Sequence, residues 1–406
     1  MSNPNSPISF QTIAQDKNTK ARAGIIKTKH GDIETPYLIP VATCGTIRGL
    51  DSKILEQIGA QCILANTYHL HFRPGDTVIK RLGGLHKFMN WNKPIFTDSG
   101  GYQAFSLGLG TEHEIRKIGH FPKNKKPKKA NKERLKAKVS DKGVTFQSIY
   151  DQSYVLFTPK KSMEIQSNLG SDIIMAFDEC TSQLSNRSYI EKSMERTHKW
   201  ALQSLEYHDP KQAIYGIIQG GFYRELRETS AKFILSQPFD GIAIGGSLGE
   251  TKKDMHKILD WITPYLNKDT RPRHLLGIGW VDDLFECVER GIDTFDCVNM
   301  TRIARHGSLY ISPPEGSQKN KFILDIEKTK YTEDTRPIDP SCDCHTCKYY
   351  SRAYIHHLYK AKELSYYTLS TTHNIHFMLN LTNQIRESII KGNNNFNKLK
   401  NYWIGR

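Results

Sequence analysis

Eight short apolar runs, most of them followed by helix-compatible sequence, constrain the fold of this chain more than any other feature. They are Tyr37-Leu38-Ile39-Pro40-Val41-Ala42, Cys62-Ile63-Leu64-Ala65, Pro94-Ile95-Phe96-Thr97 and Ile173-Ile174-Met175-Ala176-Phe177. Ala213-Ile214-Tyr215-Gly216-Ile217-Ile218, Gly241-Ile242-Ala243-Ile244, His274-Leu275-Leu276-Gly277-Ile278 and Thr294-Phe295 complete the series. Continuous rather than alternating apolar character suits parallel strands buried on both faces. The amphipathic stretches Lys253 to Leu266 and Val281 to Gly291 fit crossover helices between them. The expectation is an α/β protein built on a (β/α)₈ barrel. An open doubly wound sheet would place a nucleotide-binding glycine fingerprint after its first strand, and none follows Val41.

Barrels keep their chemistry at the C-terminal ends of the strands, so the residues there are the candidate site. The third strand runs into Thr97-Asp98-Ser99-Gly100-Gly101-Tyr102-Gln103 and the fourth into Asp178-Glu179-Cys180. The fifth ends in Gln219-Gly220-Gly221, the sixth in Gly245-Gly246, the seventh in Gly277-Ile278-Gly279 and the eighth in Asp296-Cys297. Any one of these is an ordinary strand-to-helix junction, since Asp and Gly favour caps and turns. Gathered on one face they make a site. A carboxylate such as Asp178 can accept from the ring N–H and exocyclic amine of guanine. Gln219 and the Gly246 amide can meet the base carbonyl, and Tyr102 can stack on the ring. Asp98 and Asp296 then remain as a carboxylate pair, the requirement for a retaining displacement at an anomeric carbon. Thr301-Arg302-Ile303-Ala304-Arg305-His306 follows the eighth strand and reads either as a solvated basic loop or as phosphate and base contacts.

Three of the eight cysteines crowd into Cys342-Asp343-Cys344-His345-Thr346-Cys347. Such spacing signals a structural Zn²⁺ site that needs a fourth ligand. His356 and His357 on the following segment are candidates, as is His373; the short reach behind the loop favours His373.

The formal charge of +15 implies a polyanionic partner. Residues 111–142 hold 12 Lys/Arg against 4 Asp/Glu, so about half of the surplus lies in one Lys-rich surface loop, disordered or loosely helical by composition. It serves either as plain solvated surface or as an auxiliary phosphate-binding arm. Val144-Thr145-Phe146-Gln147 and Tyr154-Val155-Leu156-Phe157 flank Asp151-Gln152-Ser153 and predict a β-hairpin. Met1 to Gln15 is polar, without a signal-peptide core, and no apolar run approaches a membrane span, which predicts a soluble cytoplasmic protein. The expected division is a flexible N-terminus (1–20), the barrel (21–335, with an insertion at 111–159), a zinc-binding subdomain (336–385) and a C-terminal helix and tail completing the barrel (386–406).

From about Ala23 onward the chain resembles the bacterial-type tRNA-guanine transglycosylases. The matching motifs are Ala65-Asn66-Thr67-Tyr68-His69-Leu70, the Asp98 segment, Met175-Ala176-Phe177-Asp178-Glu179-Cys180 and Gln219-Gly220-Gly221. Gly291-Ile292-Asp293-Thr294-Phe295-Asp296-Cys297-Val298, the cysteine cluster and Ser351-Arg352-Ala353-Tyr354-Ile355-His356-His357-Leu358 also match. The resemblance implies double displacement at the wobble guanosine of G-U-N anticodon tRNAs (Asp, Asn, His, Tyr). Asp296 would attack C1′ and hold the RNA covalently, and Asp98 would handle the proton on leaving and entering bases. It assigns base binding to Ser99, Gly100, Gly101, Tyr102, Asp178, Gln219, Gly245, Gly246 and Leu276. RNA binding falls to Gly277, Ile278, Gly279, Trp280, Val281, Asp282, Asp283, Thr301, Arg302, Ile303, Ala304 and Arg305. One structural Zn²⁺ on Cys342, Cys344, Cys347 and His373 is implied, and a homodimer.

The sequence also departs from the pattern of those relatives. Gly245-Gly246-Ser247-Leu248-Gly249-Glu250 is one residue shorter than the usual loop, which predicts a wider pocket preferring queuine to 7-aminomethyl-7-deazaguanine. Asn299-Met300 replaces the usual Leu-Pro, Trp280 stands where lysine is common, and the basic insertion has no counterpart. A non-catalytic tRNA-binding partner would have lost one of the two aspartates, and both are present. A glycoside hydrolase would need neither a zinc lobe nor a +15 charge. The archaeal-type enzyme acting on the D-arm is expected to carry further C-terminal RNA-binding domains, for which this sequence ends too soon.

Overall fold

The computed structural model of the chain describes residues 5–102, 137–148 and 150–405. Strands β1 (Ser9–Gln15), β2 (Arg22–Thr28) and β3 (Gly31–Thr35) form an antiparallel sheet. Strands β4 (Tyr37–Ala42), β5 (Ile63–Ala65) and β6 (Ile95–Thr97) start the barrel. A second antiparallel sheet, β7 (Lys138–Ser140), β8 (Gly143–Gln147) and β9 (Tyr154–Phe157), follows. The barrel then resumes with β10 (Ile173–Met175), β11 (Ala213–Ile218), β12 (Gly241–Ile244), β13 (Arg273–Leu275) and β14 (Thr294–Cys297). Strands β15 (Ser308–Tyr310) and β16 (Ile323–Asp325) make a small antiparallel pair beyond it.

Each apolar run of the sequence supplies one barrel strand, in chain order. All neighbours are parallel, and β14 closes on β4 with Thr294 opposite Tyr37 and Cys297 opposite Pro40. Most barrel strands are buried along their whole length, which is why their sequences do not alternate. The two ends of the barrel use carboxylates differently. At the N-terminal end, Asp172, Asp240 and Asp293 accept from the Ile95, Ile214 and Arg273 amides at 2.9, 2.8 and 2.7 Å. These acids tie strand starts together and are committed to stability. At the opposite end Asp98, Asp178 and Asp296 face a cavity.

A helix at Leu364–Lys391 runs from the cysteine cluster back along the barrel. Its Arg386 donates to the Gly24 and Thr35 carbonyls at 2.7 and 2.8 Å. The expected boundary at residue 385 falls inside this helix, just before Arg386 makes those contacts. After Gly392 the helix Asn395–Ile404 returns to the barrel, where Lys400 pairs with Glu289 at 2.9 Å.

Two expectations change. Residues 9–15, expected in a flexible N-terminus, form β1, held by main-chain pairing to β2 from Ser9–Lys27 to Gln15–Arg22. Polar side chains concealed this, because β1 lies on the surface and is mostly exposed. The expected hairpin is present, with Val144 opposite Phe157, and β7 adds a third strand to it. Gln103 and the core of the Lys-rich loop, 111–136, lie outside the described residues.

Candidate active site and metal centre

A cavity of about 390 Å³ opens at the C-terminal ends of the barrel strands. Asp98, Ser99, Gly100, Tyr102, Asp178, Gly246, Leu276, Gly277 and Asp296 line it, so residues scattered over some two hundred positions meet in one place. Arg48, Arg302 and Arg305 also line it and supply positive charge.

Asp98 leaves β6 and is aimed by the segment after β5. Thr67 N–H donates to Asp98 Oδ1 at 2.9 Å, Gly100 N–H reaches the same oxygen at 3.3 Å, and Asn66 Nδ2 donates to Oδ2. Asn66 is also the N-cap of the helix Thr67–Phe72, where its Oδ1 accepts from His69 N–H at 3.0 Å. One asparagine thus starts a helix and grips the carboxylate on the neighbouring strand. The Asn66-Thr67 motif was legible in the sequence; this task was not, because it depends on the β5–β6 pairing.

Asp178 is buried at the back of the cavity. Gln219 Nε2 donates to its Oδ2 at 2.7 Å and Ser99 Oγ to its Oδ1 at 3.1 Å. Burial pushes its carboxyl up to about 6, against the lowering effect of those two donors, and the neighbouring Glu179 charge adds to the rise. Gln219 is therefore committed on one N–H, and its buried Oε1 has no hydrogen-bond partner among the described residues. A Cβ on Gly246, whose φ is +79°, would fall 2.0 Å from Gln219 Oε1, so only glycine fits there. Gly101 and Gly245 sit behind the wall, where a Cβ would come within 2.8 Å of Asp178 O and of Ile217 Cγ2. Glu179 points away, buried against Arg196 and Tyr189, whose hydroxyl donates to it at 2.7 Å.

Asp296 ends β14. Its Oδ1 accepts from Gly277 N–H at 3.0 Å and lies 3.1 Å from Nε2 of the fully buried His274 on β13. Sequence reading missed His274 because it looked like one more residue of an apolar strand. It also missed Arg227, which is fully buried and donates to the carbonyls of Gly221, Ile218, Gly245 and Ser247 at 2.8–3.1 Å. That one side chain holds the ends of β11 and β12 in place.

The residues expected to touch RNA divide into two groups. Arg302 and Arg305, half-buried, and Thr301, buried, line the cavity, while Ile303 is half-buried outside that lining. Ile278, Val281, Asp283 and Ala304 are buried. Asp282 and Asp283 both pair with Lys252, at 2.6 and 2.9 Å. Burial pushes the Asp283 carboxyl up to about 6 while Lys252 opposes the shift. Trp280 is half-buried, with Lys321 Nζ 5.6 Å from its ring.

The second site lies in the C-terminal lobe. His373 Nδ1 stands 3.7, 3.6 and 3.3 Å from the sulfurs of Cys342, Cys344 and Cys347. These four atoms lie within 4.8 Å of one another and could hold a metal ion. His373 Nε2 is 2.8 Å from the Tyr310 carbonyl, which fixes the ring with Nδ1 toward the thiols. His356 is turned away, its Nδ1 2.7 Å from the Ile326 carbonyl. The helix bearing His373 also reaches the active site. Asn374 donates to the carbonyls of Met300 and Ser308 at 3.1 Å and accepts from Tyr310 N–H, and Tyr366 donates to the Ala304 carbonyl at 2.7 Å. The metal lobe is thereby joined to the segment carrying Arg302 and Arg305.

A closed parallel barrel that gathers Asp98, Asp178 and Asp296 in one cavity under a cationic rim has the placement of an enzyme site, at the C-terminal ends of the strands. The family described as queuine tRNA-ribosyltransferase matches residues 16–405, and the chain belongs to that family. A protein of Archaeoglobus fulgidus is 54% identical over 393 residues, covering 95% of this chain and 97% of its own. The queuine tRNA-ribosyltransferases of Roseiflexus sp. and Caldanaerobacter subterraneus are 44% and 46% identical, over 98% and 94% of this chain and 99% and 93% of theirs. It is therefore a transferase that exchanges a guanine of tRNA in the queuosine pathway. Among the described residues no helix is long and apolar enough to cross a membrane.

Proposed function

We propose that the chain replaces guanine at the wobble position of G-U-N anticodon tRNAs (Asp, Asn, His, Tyr) with a 7-deazaguanine, by double displacement. Asp296 attacks C1′ from the face opposite the departing base and Asp98 carries the proton between leaving and entering bases. Asp178 accepts from the N–H edge of the base. Ser99, Gln219 and the Gly245-Gly246 amides complete its polar contacts, Tyr102 and Leu276 cover its faces, and Gly100 and Gly101 allow close approach. Arg302 and Arg305, with the strand-end backbone at Gly277 and Gly279, take the anticodon loop.

The observation that carries this reading is that Asp98, Asp178 and Asp296 line a single cavity under a cationic rim. The shorter Gly245–Glu250 loop supports queuine over 7-aminomethyl-7-deazaguanine as the incoming base. The test is release of radiolabelled guanine from guanine-charged tRNA-Tyr, with each base offered separately and Asp296→Asn as control. Release by queuine alone supports salvage, and better turnover of the aminomethyl base removes the pocket argument. No release with either base would sink base exchange.

The metal of the C-terminal lobe is Zn²⁺ on this reading, structural in role. Metal–ligand distances of about 2.3 Å to sulfur and about 2.05 Å to nitrogen, across a tetrahedral angle, separate S and N by roughly 3.5 Å. The sulfur-to-Nδ1 distances of 3.3–3.7 Å match. The same reading treats residues 21–335 as the catalytic barrel, 336–385 as the metal lobe and 386–406 as its return to the barrel. It takes the working unit to be a cytoplasmic homodimer, which sedimentation equilibrium with and without tRNA would check.

A further inference from the structure

We propose that His274 is a positioning residue for Asp296, selecting Oδ2 as the attacking oxygen and steadying Oδ1 through both displacements. This rests on the assignment of Asp296 as nucleophile.

An ionised carboxylate only accepts hydrogen bonds, so the 3.1 Å contact to Oδ1 places the proton on His274 Nε2. Nδ1 faces Thr294 Oγ1 at 3.0 Å, whose hydroxyl can donate to it and so complement a proton on Nε2. Phe96 stacks on the ring, with centroids 5.6 Å apart, and the imidazole is wholly shielded from solvent. With Gly277 N–H at 3.0 Å, two donors converge on Oδ1, while Oδ2 has no hydrogen-bond partner among the described residues. The donor pair leaves one oxygen with its lone pairs toward the cavity.

In the first displacement Oδ2 forms a bond to C1′. The C1′–N9 pair departs with guanine, which takes the proton that Asp98 carries. Oδ1 is now the ester carbonyl oxygen, still held by His274 and Gly277. In the second displacement N9 of the incoming base bonds to C1′ and its proton passes to Asp98. The C1′–Oδ2 pair returns to the carboxylate, whose developing charge the same two donors stabilise. His274 therefore bears most on the breakdown of the covalent intermediate.

The experiment uses the metal-loaded full chain, an anticodon stem-loop RNA, rapid quench, and denaturing gels that display the covalent adduct. His274→Phe keeps the ring without the donor and is expected to lower kcat about 10- to 100-fold, with KM for RNA falling alongside it so that kcat/KM for RNA changes little, and with more adduct at steady state. His274→Gln restores a donor near the Nε2 position and is expected to recover to within about threefold of the parent. Thr294→Val frees the tautomer from the neighbouring strand, keeps the fold if His274→Phe does not, and is expected to lower kcat about threefold to tenfold. Full activity in His274→Phe, or a Gln variant no better than Phe at equal melting temperature, would overturn the proposal. Asp296→Asn separates the two ideas. Adduct formed without that carboxylate removes the nucleophile assignment and this inference with it. Loss of adduct there, combined with unaffected His274 variants, removes the inference alone.

Discussion

Gln219 Nε2 meets Asp178 Oδ2 at 2.7 Å, joining the ends of two adjacent barrel strands behind the cavity. The contact has a consequence for pH. Burial raises the Asp178 carboxyl from 3.8 to about 6, and the Gln219 and Ser99 donors hold it from rising further. The native state thus keeps a proton that the unfolded chain releases near 3.8. Stability from this group is complete below that value and is lost as pH rises through about 6, by about 3 kcal/mol as an order of magnitude. Base recognition runs the other way, since only the carboxylate accepts two N–H donors. The kcat/KM for the incoming base should fall below about pH 6 with unit slope, and Asp178→Asn should erase that limb. A pH–rate profile that stays flat to pH 5 would contradict the assignment.

Asp98 is surrounded by donors from Asn66, Thr67 and Gly100. Asp98→Asn turns an amide NH₂ toward some of these N–H groups and removes the proton carrier. Turnover should drop by about 10²- to 10⁴-fold, the range of general acid–base catalysis. Asn66→Ala removes a helix cap as well as a donor and should cost about 1–2 kcal/mol of stability. Steady-state kinetics and chemical denaturation of the two variants separate the roles. Equal kinetic losses in both would show that Asp98 matters only for structure.

The rim arginines should obey counterion-release behaviour. Arg302→Gln and Arg48→Gln are each expected to weaken tRNA binding across all substrate sequences. Each should reduce the slope of log K against log salt by about 0.7–0.9. Filter binding across a salt series reads this directly, and an unchanged slope would mean the side chain does not meet a phosphate.

Metal removal should act through the helix Leu364–Lys391. Chelation or His373→Ala uncouples the cysteines from that helix, which also carries Asn374 and its bonds to Met300 and Ser308. The expected result is a melting temperature lower by several degrees and weaker RNA binding, since the segment bearing Arg302 loses its support. Metal analysis should return one ion per chain. A chelated protein with an unchanged melting curve would show that the four ligands hold nothing needed for the fold.

Arg227 is satisfied entirely by backbone carbonyls. Arg227→Met would leave the Gly221, Gly245 and Ser247 carbonyls without that buried donor, Ile218 O keeping its bond from Gly245 N–H, at a cost of about 3–5 kcal/mol. Calorimetry of this variant tests whether the strand ends depend on that one guanidinium.

Barrel order, strand positions and the strand-end carboxylates were legible in the sequence because each is a local signal. A fully buried parallel strand must be apolar along its length, and its C-terminal junction must hold the polar residues the core rejects. The cysteine cluster was legible for a similar reason, since three thiols in six positions have few other uses. Strand β1 was hidden because main-chain pairing, not apolar side chains, holds it. Other assignments exist only in three dimensions. Which of His356 and His373 joins the thiols depends on where two helices pass, and of these two it is His373 that turns Nδ1 toward all three. That Asn66 grips Asp98, that His274 faces Asp296 and that Arg227 secures the Gly245–Ser247 backbone all follow from strand neighbours far apart in sequence. The linear chain determined which chemical groups stand at the strand ends. Closure of the barrel decided which of them meet, because hydrogen-bond geometry is a property of distance and direction that residue order does not encode.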